Sequence, residues 1–184
     1  CVPKELAANE KRVAATPDSA LSLQKLGFDV CIESDAGRAS GFLDEAYIKA
    51  GVRVIDDPRV IWGEADILLK VRAPERHPSA DFQEVDLIRS GQTLVGFLWP
   101  AQNPELLKQL ARRGANALAI DAAPRISRAQ KLDALTSMAS IAGYRAVVEA
   151  AQHFGRLFTG QVTAAGKTPP AKVLVIGAGV AGLS

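Results

Sequence analysis

Six polar residues cluster in one short segment and offer the clearest binding chemistry in the chain. An arginine fork, an amide and a carboxylate can together hold a carboxamide and sugar hydroxyls. The alternative is that the segment only caps a helix, for which Ser127 is suitably placed at the N-cap. The six residues are Arg125, Arg128, Gln130, Asp133, Thr136 and Ser137.

The second candidate site is the glycine-rich stretch "VLVIGAGVAGLS" at 173–184. Gly177 would make a tight turn, Gly179 would let the backbone approach a pyrophosphate, and Gly182 would allow a helix to pack closely on a strand. The apolar run before the turn supports a dinucleotide site, and the alternative is a tight turn without a ligand. The acidic residue that would contact the ribose belongs about 20 positions further on, past Ser184, so the motif does not choose between NAD and NADP.

Further polar residues follow the predicted strands of the N-terminal half. In parallel sheets, ligands bind at the carboxyl ends of the strands, so these residues predict a cleft there. The alternatives are a solvated loop with weak ion pairs, a Lys70 that points to water, and a Trp99 that serves only packing. The candidates are Lys4, Glu5, Asn9, Glu10, Arg12, Lys70, Arg72, Trp99, Gln102 and Asn103.

The elements that carry these residues follow a repeating pattern. An amphipathic run, a glycine and a short apolar run recur four times, with Gly27, Gly51, Gly91 and Gly114 where a helix C′ glycine belongs. The apolar runs are typical of buried parallel strands. The alternation predicts an α/β fold, a doubly wound parallel sheet with helices on both faces.

The alternation stops after Asp121, which predicts a second domain. The residues from about Arg128 to Phe158 read as one long helix, and the apolar run at 173–176 as the start of a new sheet. We predict an N-terminal doubly wound α/β domain at 1–127. Residues 128–184 would form a long linking helix followed by the first strand and glycine turn of a Rossmann dinucleotide-binding domain.

Composition excludes several classes of function. The formal net charge is +2, and the cations are dispersed, which gives no indication of nucleic-acid binding. Two cysteines, Cys1 and Cys31, are too few for a disulfide framework and fit a reducing compartment. The two histidines, His77 and His153, offer no zinc-ligand spacing. We therefore expect no metal site, and no general acid or base is evident.

Over essentially its whole length the sequence resembles the alanine dehydrogenase and pyridine nucleotide transhydrogenase superfamily. The motifs that carry the resemblance are "VPKELAANEKRVAATP", "LLKVRAPE", "LVGFLWPAQNPELL", "PRISRAQKLDALTSMASIAGYRAVVEAA", "LFTGQVTAAGKTPPAKV" and "VIGAGVAGL". The "PRISRAQ" block is highly specific, and it is similar to the soluble NAD(H)-binding component of the transhydrogenases.

One substitution separates the two branches of this family. In alanine dehydrogenases the residues matching Arg12 and Lys70 bind a substrate carboxylate, and a histidine handles the proton. Trp99 stands at that histidine's position here, and an indole cannot replace an imidazole that titrates near neutral pH. Transhydrogenases pass hydride directly between two nicotinamides without moving a proton at the rings, so the resemblance favours that branch.

The resemblance also implies roles for individual residues. Arg125, Gln130 and Asp133 would hold the nicotinamide end of NAD(H) for hydride transfer, with Thr136 and Ser137 beside them. Gly177, Gly179 and Gly182 would bind the cofactor, and Gln130 would also reach NADP(H) on a partner domain.

At the level of the assembly, the resemblance implies NADP(H)-binding and membrane-spanning partner components, proton translocation and a homodimer. The complex would lie at the cytoplasmic face of the bacterial inner membrane. Two alternatives remain open, an alanine-dehydrogenase-like amino-acid oxidoreductase and a non-catalytic NAD-binding regulatory module.

Overall fold

The computed structural model describes residues 1–78 and 81–184, and the chain divides into two compact units. The first unit is Cys1–Pro124 and the second is Arg125–Ser184. The predicted domain boundary after residue 127 stays a prediction. The two units are groups of residues that contact one another, and such a grouping does not by itself define domains.

Among the residues that the structure describes, five short strands form the sheet structure of the first unit. They are β1 (Cys31–Glu33), β2 (Arg53–Ile55), β3 (Ile67–Arg72), β4 (Thr93–Phe97) and β5 (Asn116–Ala119). All the pairs among them are parallel: β1 pairs with β2, and β4 lies between β3 and β5. The strands β1, β2, β4 and β5 each fall on the apolar run that follows one of the four glycines, as the sequence predicts.

The N-terminal residues connect the two groups of strands. Val2 donates its N–H to the Cys31 carbonyl at 2.8 Å, and Leu69 donates to the Cys1 carbonyl at 2.9 Å. Residues 1–2 therefore lie between β1 and β3 and continue the parallel order. A disulfide joins Cys1 to Cys31 across this junction, which runs against the reducing compartment that the number of cysteines suggests.

Within the described parts of the first unit, four α-helices connect the strands: α1 (Pro17–Lys25), α2 (Asp44–Lys49), α3 (Pro58–Glu64) and α4 (Pro104–Arg112). Helix α1 begins with a reciprocal capping box between Thr16 and Ser19, and Pro17 occupies its first turn. Three predicted C′ glycines are confirmed, because Gly27, Gly51 and Gly114 have positive φ and directly follow the C-caps of α1, α2 and α4. Gly91 also has positive φ, but no helix ends before it.

Both faces of the sheet are buried, as a doubly wound fold requires. One core cluster contains Cys31, Trp62 and Leu68, and the other contains Ile32 and Tyr47. Successive residues of β1 thus enter different cores, because neighbouring side chains of a strand point to opposite faces. The predicted doubly wound α/β architecture of the N-terminal half is confirmed.

The amphipathic run before Gly91 does not form the helix that the sequence predicts. The run "VDLIRSG" forms only a 3₁₀ turn at Glu84–Leu87. The carboxylate of Glu84 turns inward to a buried lysine, and Arg89 and Gln92 bind the carbonyl of Ala65 after α3. These tertiary hydrogen bonds take the place of a regular helix.

The long helix of the second unit is shorter than predicted. Helix α5 spans Ala134–His153, and a separate 3₁₀ helix covers Ser127–Leu132. The break comes at Asp133, whose side chain accepts the backbone N–H of Thr136 and so caps α5. Asp133, and not Ser127, is therefore the N-cap of this helix.

The new sheet predicted at 173–176 is not formed among the residues that the structure describes. Val173, Leu174, Val175 and Ile176 are 60–91% exposed, and no strand pairs with them. A strand needs a neighbour for its backbone groups. The second unit contains instead an antiparallel hairpin, β6 (Gln161–Thr163) with β7 (Gly166–Thr168), and a short helix, α6 (Val180–Leu183).

The two helices of the second unit contact each other at a glycine. Gly143 is the one buried residue of this unit. A Cβ at this position would overlap the carbonyl of Ala181 in α6, so only glycine permits this close approach. Over the described parts of the chain, no helix is long and apolar enough to span a membrane.

Candidate functional site

The loop that precedes α5 forms a small pocket of its own. Arg125, Ser127, Gln130 and Asp133 line a pocket of about 270 Å³ together with Ile126 and Ala129. Three of the residues predicted to bind a ligand, Arg125, Gln130 and Asp133, are thus brought together. Their guanidinium, amide and carboxylate groups can donate to and accept from a planar carboxamide or a sugar hydroxyl.

Asp133 is held in place by the first turn of α5. Its carboxylate accepts the backbone N–H of Thr136 at 3.0 Å and the Thr136 hydroxyl at 2.6 Å. These hydrogen bonds lower the pKa of the Asp133 carboxyl, and the charge of Arg125 contributes in the same direction. Thr136 therefore acts on the pocket by fixing Asp133.

Ser137 lies beside the pocket and does not line it. Its backbone N–H lies 3.5 Å from the Asp133 carbonyl, and its side chain is not among the groups that line the pocket. Of these two neighbouring residues, Thr136 is the one whose hydroxyl donates a hydrogen bond to a pocket residue, Asp133.

The glycine turn has the local geometry of a phosphate-binding turn. Gly177 has φ +107°, and a Cβ at Gly182 would overlap the Gly177 carbonyl, so α6 packs directly on the turn. A Cβ at Gly179 would meet no atom within 4 Å, which leaves its backbone open to a ligand. This open backbone agrees with the predicted role of the turn in binding a pyrophosphate, which stays a prediction. The apolar run before the turn is unpaired.

The carboxyl edge of the first unit's sheet holds a buried charge network. Lys70 is 4% exposed, and its Nζ lies 2.9 Å from Glu84 Oε1 and 3.6 Å from Glu5 Oε2. Burial raises the pKa of the Glu84 carboxyl, and Lys70 opposes that effect. Lys70 therefore neither points to water nor offers a free cation to a ligand.

Arg12 is also paired within the chain. Its Nε and Nη2 donate to the two carboxylate oxygens of Glu10 at 2.8 and 2.7 Å, and Arg72 Nε donates to the same carboxylate at 2.8 Å. The hydrogen bond from Arg12 is the main reason that the pKa of Glu10 falls to about 2. The Glu5 carboxylate accepts the backbone N–H groups of Val71 and Arg72. The predicted loop with local ion pairs is thus present, but its carboxylates are buried.

Trp99 is not the packing residue that one alternative predicts. It is 36% exposed, whereas Trp62 fills the core. Its φ is +48°, a strained conformation for a large side chain. Asp121 holds this turn, because its carboxylate accepts the N–H groups of Leu98 and Trp99 at 2.8 and 3.1 Å. Asn103 Nδ2 donates to the Leu98 carbonyl at 2.9 Å.

Sequence reasoning missed two residues at this edge, Glu84 and Asp121. Glu84 lies in a run with no motif, and only the fold brings it to Lys70 across 14 positions of sequence. Asp121 ends an apolar run, where an acidic residue is common. Asp121 sits just after the strand end, a position that could have marked it as a ligand for backbone N–H groups. Among the described residues, no group of three or more His, Cys, Asp or Glu side chains could hold a metal ion.

The chain belongs to the alanine dehydrogenase/PNT family. The model "Alanine dehydrogenase/PNT, N-terminal domain" matches residues 1–142, and "Alanine dehydrogenase/PNT, C-terminal domain" matches residues 146–184. The second match includes the glycine turn. The resemblance drawn from the motifs is therefore confirmed.

Within this family the chain is most similar to transhydrogenase sequences among the relatives compared. It is 60% identical to "NAD(P) transhydrogenase subunit alpha" of Cereibacter sphaeroides, over 99% of this chain and 34% of that protein. The subunit of the same name from Haemophilus influenzae is 56% identical, over 100% of this chain and 34% of that protein. The chain thus spans about a third of the length of these curated relatives.

Solved structures give the same order of similarity. The transhydrogenase of Sinorhizobium meliloti matches with a TM-score of 0.90 and 41% identity, over 99% of this chain and 52% of that one. An L-alanine dehydrogenase matches with a TM-score of 0.81 and 34% identity, over 99% and 49%. Both support the predicted fold class, a parallel α/β domain followed by the start of a Rossmann domain.

Proposed function

We propose that this chain is the NAD(H)-binding component of a proton-translocating NAD(P) transhydrogenase. Hydride would pass directly between NADH held here and NADP⁺ held on a partner domain. The proposal rests on the similarity to transhydrogenase α subunits, which exceeds that to the alanine dehydrogenase structure. The observation that carries the site assignment is the pocket that Arg125, Gln130 and Asp133 share.

The chemistry of the pocket suits a nicotinamide ring. A bound dinucleotide would supply the hydride, and the chain would position the ring. Gln130 has an amide that can pair with the ring's carboxamide, and the carboxylate of Asp133 can accept from an amide N–H or a ribose hydroxyl. Because hydride transfer between two nicotinamides depends on the geometry of the two rings, rigid groups matter more here than acid–base catalysis.

The alanine dehydrogenase alternative is less well supported at the carboxyl edge of the sheet. A substrate carboxylate would need the cations of Arg12 and Lys70, but Glu10 already occupies the fork of Arg12, and Glu84 is paired with Lys70. Trp99 offers no group that can donate a proton near neutral pH. An amino-acid oxidoreductase would therefore lack both a free clamp and a proton donor at this edge.

Substitution of the pocket residues tests the proposal. In the complete complex with its NADP(H)-binding partner, we expect Gln130→Ala and Asp133→Asn each to slow hydride transfer to an NADP⁺ analogue by about 10²-fold, because a displaced ring loses its reactive alignment. Gln109→Ala, on the exposed face of α4, is the matched control and should keep the wild-type rate. Wild-type rates in both pocket variants would refute the nicotinamide assignment.

Two further assays separate the alternatives. We expect no NADH oxidation that depends on pyruvate and ammonia; turnover in that assay would favour the amino-acid oxidoreductase. NAD binding without any hydride transfer in the presence of the partner domain would favour the regulatory module. These assays use the same preparation of the complete protein as the substitution experiment.

The assembly is part of the same proposal. We propose NADP(H)-binding and membrane-spanning partner components, a homodimer of this component, and a position at the cytoplasmic face of the bacterial inner membrane. Sedimentation of the purified protein tests the dimer. Co-purification with a membrane fraction, and its loss when the membrane component is deleted, tests the partners.

A further inference from the structure

A disulfide ties the segment that lies between the two groups of strands to β1. Cys1 and Cys31 are bonded to each other, and their Cα atoms lie 4.6 Å apart. They are the only two cysteines of this sequence, so neither has a competing partner within it. So few cysteines are typical of a reducing compartment, and a disulfide formed in such a compartment is ordinarily transient and redox-sensing. The surroundings of the two sulfur atoms determine whether this bond can open and close again.

Backbone hydrogen bonds hold the two cysteines together without help from the disulfide. Val2 donates its N–H to the Cys31 carbonyl at 2.8 Å, and Glu33 donates to the Val2 carbonyl at 3.0 Å. On the other side, Leu69 donates to the Cys1 carbonyl at 2.9 Å. These hydrogen bonds do not need the S–S bond, so they keep the two thiols close together after reduction. Groups held in place react at a high effective concentration, and the reduced pair can therefore be oxidised to the same disulfide again.

The two sulfur atoms differ in how a reagent can reach them. Cys31 is 1% exposed and lies in the core cluster that contains Trp62 and Leu68. Cys1 is half-buried and lines a cavity of about 460 Å³ at the start of β1 and β3, which Cys31 does not line. Because thiol–disulfide exchange requires a thiolate to reach one of the two sulfurs, Cys1 is the point of entry.

We propose that Cys1 and Cys31 form a reversible redox switch, in which the sulfur of Cys1 reacts first. A dithiol supplies the electrons: its thiolate attacks the Cys1 sulfur, the S–S bond breaks, and the Cys31 sulfur leaves as a thiolate and takes up a proton. The second thiol of the reductant then attacks the mixed disulfide. Cys1 is released as a thiol, and the reductant becomes a disulfide. Two electrons and two protons have passed to the cysteine pair, and a disulfide oxidant reverses the exchange.

The switch acts on the residues that follow Cys1. Lys4 donates its backbone N–H to the Glu33 carboxylate at 2.8 Å, and the Glu5 carboxylate lies 3.6 Å from Lys70 Nζ. This segment therefore connects β1 to the buried charges at the carboxyl edge of the sheet. In the oxidised protein the disulfide fixes the start of the segment covalently. In the reduced protein only packing and hydrogen bonds hold it, so it should open more often.

Thiol trapping in the complete, folded protein tests whether the switch is reversible. The protein is treated first with dithiothreitol and then with glutathione disulfide, and free thiols are alkylated and located by mass spectrometry. We expect Cys1 and Cys31 to be reduced together without denaturant in about an hour or less, and to be oxidised again completely. A bond that resists dithiothreitol until the protein unfolds, or a pair of thiols that stays free in glutathione disulfide, would overturn the proposal.

A monothiol tests which sulfur reacts first. Brief treatment of the oxidised protein with reduced glutathione, stopped by acid, should leave glutathione attached to Cys1 and not to Cys31. Because the departing Cys31 sulfur is buried, this step should also be slower than the reduction of a small exposed disulfide. Glutathione attached first to Cys31 would overturn the assigned entry point.

Hydrogen exchange tests what the switch controls. We expect the amides of Val2, Lys4 and Glu33 to exchange about tenfold faster in the reduced protein than in the oxidised protein. The control is Cys1→Ser, which should exchange as the reduced wild type does and should not respond to glutathione disulfide. Equal exchange in the two states of the wild type would overturn the proposed control of the segment. A response of Cys1→Ser to the oxidant would also overturn it, by assigning the effect to another group.

Discussion

At the scale of single residues, burial decides what the charged groups of the first unit can do. Lys70, Glu5 and Glu84 all have side chains less than 5% exposed. Charges removed from water are tolerated only when they are paired and hydrogen-bonded. Each of these three charged groups is therefore paired within the chain, and together they stabilise the carboxyl edge of the sheet.

The partner of Lys70 provides the first prediction. We expect Glu84→Gln to lower the free energy of unfolding by about 3 kcal/mol, because it leaves the buried ammonium without its nearest carboxylate. The control is Glu105→Gln, which breaks the exposed pair with Lys108 and should cost less than about 1 kcal/mol. Urea unfolding of both variants at neutral pH measures the difference, and similar losses in the two would contradict the account.

The ion pair of Glu10 predicts acid sensitivity. Its pKa in the folded protein is about 2, below the ordinary value of 4.5, so the ionised carboxylate binds its partners and stabilises the fold above pH 4.5. That contribution falls away as the pH drops through about 2. We expect Glu10→Gln to be less stable than wild type at pH 7, with a gap that narrows between pH 4.5 and 2. Urea midpoints across this range would show a constant gap if the account is wrong.

At the scale of elements, glycine allows α5 and α6 to touch. Substitution of glycine by alanine normally stabilises a helix, because alanine loses less backbone entropy. At Gly143 the added methyl group would meet the Ala181 carbonyl. For Gly143→Ala the steric overlap therefore opposes the gain in helix propensity, and the change in stability shows which effect is larger.

We predict opposite signs for the same substitution in two helices. Gly143→Ala should destabilise the α5–α6 contact by about 1–3 kcal/mol, as overpacking does. Gly63→Ala in α3, where a Cβ meets no atom within 4 Å, should stabilise the protein by about 0.5–1 kcal/mol. Thermal unfolding followed by circular dichroism measures both, and stabilisation at Gly143 would mean that the helices do not pack closely.

At the scale of the whole molecule, the two units differ in how much they bury. The first unit contains both core clusters, whereas the second buries only Gly143. Backbone groups that lack both a partner and a packed core open easily to water. The slowest backbone opening should therefore lie in the strands between the two cores of the first unit.

Hydrogen exchange of the chain tests this contrast. We expect the amides of β1, β3 and β4 to exchange most slowly, and those of the exposed residues Ala8 and Asn9 to exchange much faster. Mass spectrometry of peptide fragments gives both rates in one experiment. Equally slow exchange at Ala8 and Asn9 would contradict the link between burial and slow exchange.

Much of the fold was predictable from local patterns. The five strands of the first unit, the C′ glycines and the start of α1 all follow from short-range signals, because apolar period, positive φ and capping depend on neighbouring residues. The length of α5 was not predictable in this way. Asp133 fits a helix interior by position, and only its bonds to Thr136 show that it begins the helix.

The candidate site also has some features that the sequence determines and others that only the fold determines. The sequence alone determined the family, the parallel α/β fold and the polar loop, since these depend on residue types at fixed spacings. Only the tertiary structure decided that Lys70 is paired with Glu84, that Trp99 is exposed in a strained turn held by Asp121, and that Thr136 acts through Asp133. Such pairings depend on which distant residues the fold brings within hydrogen-bond distance, and no local pattern records that.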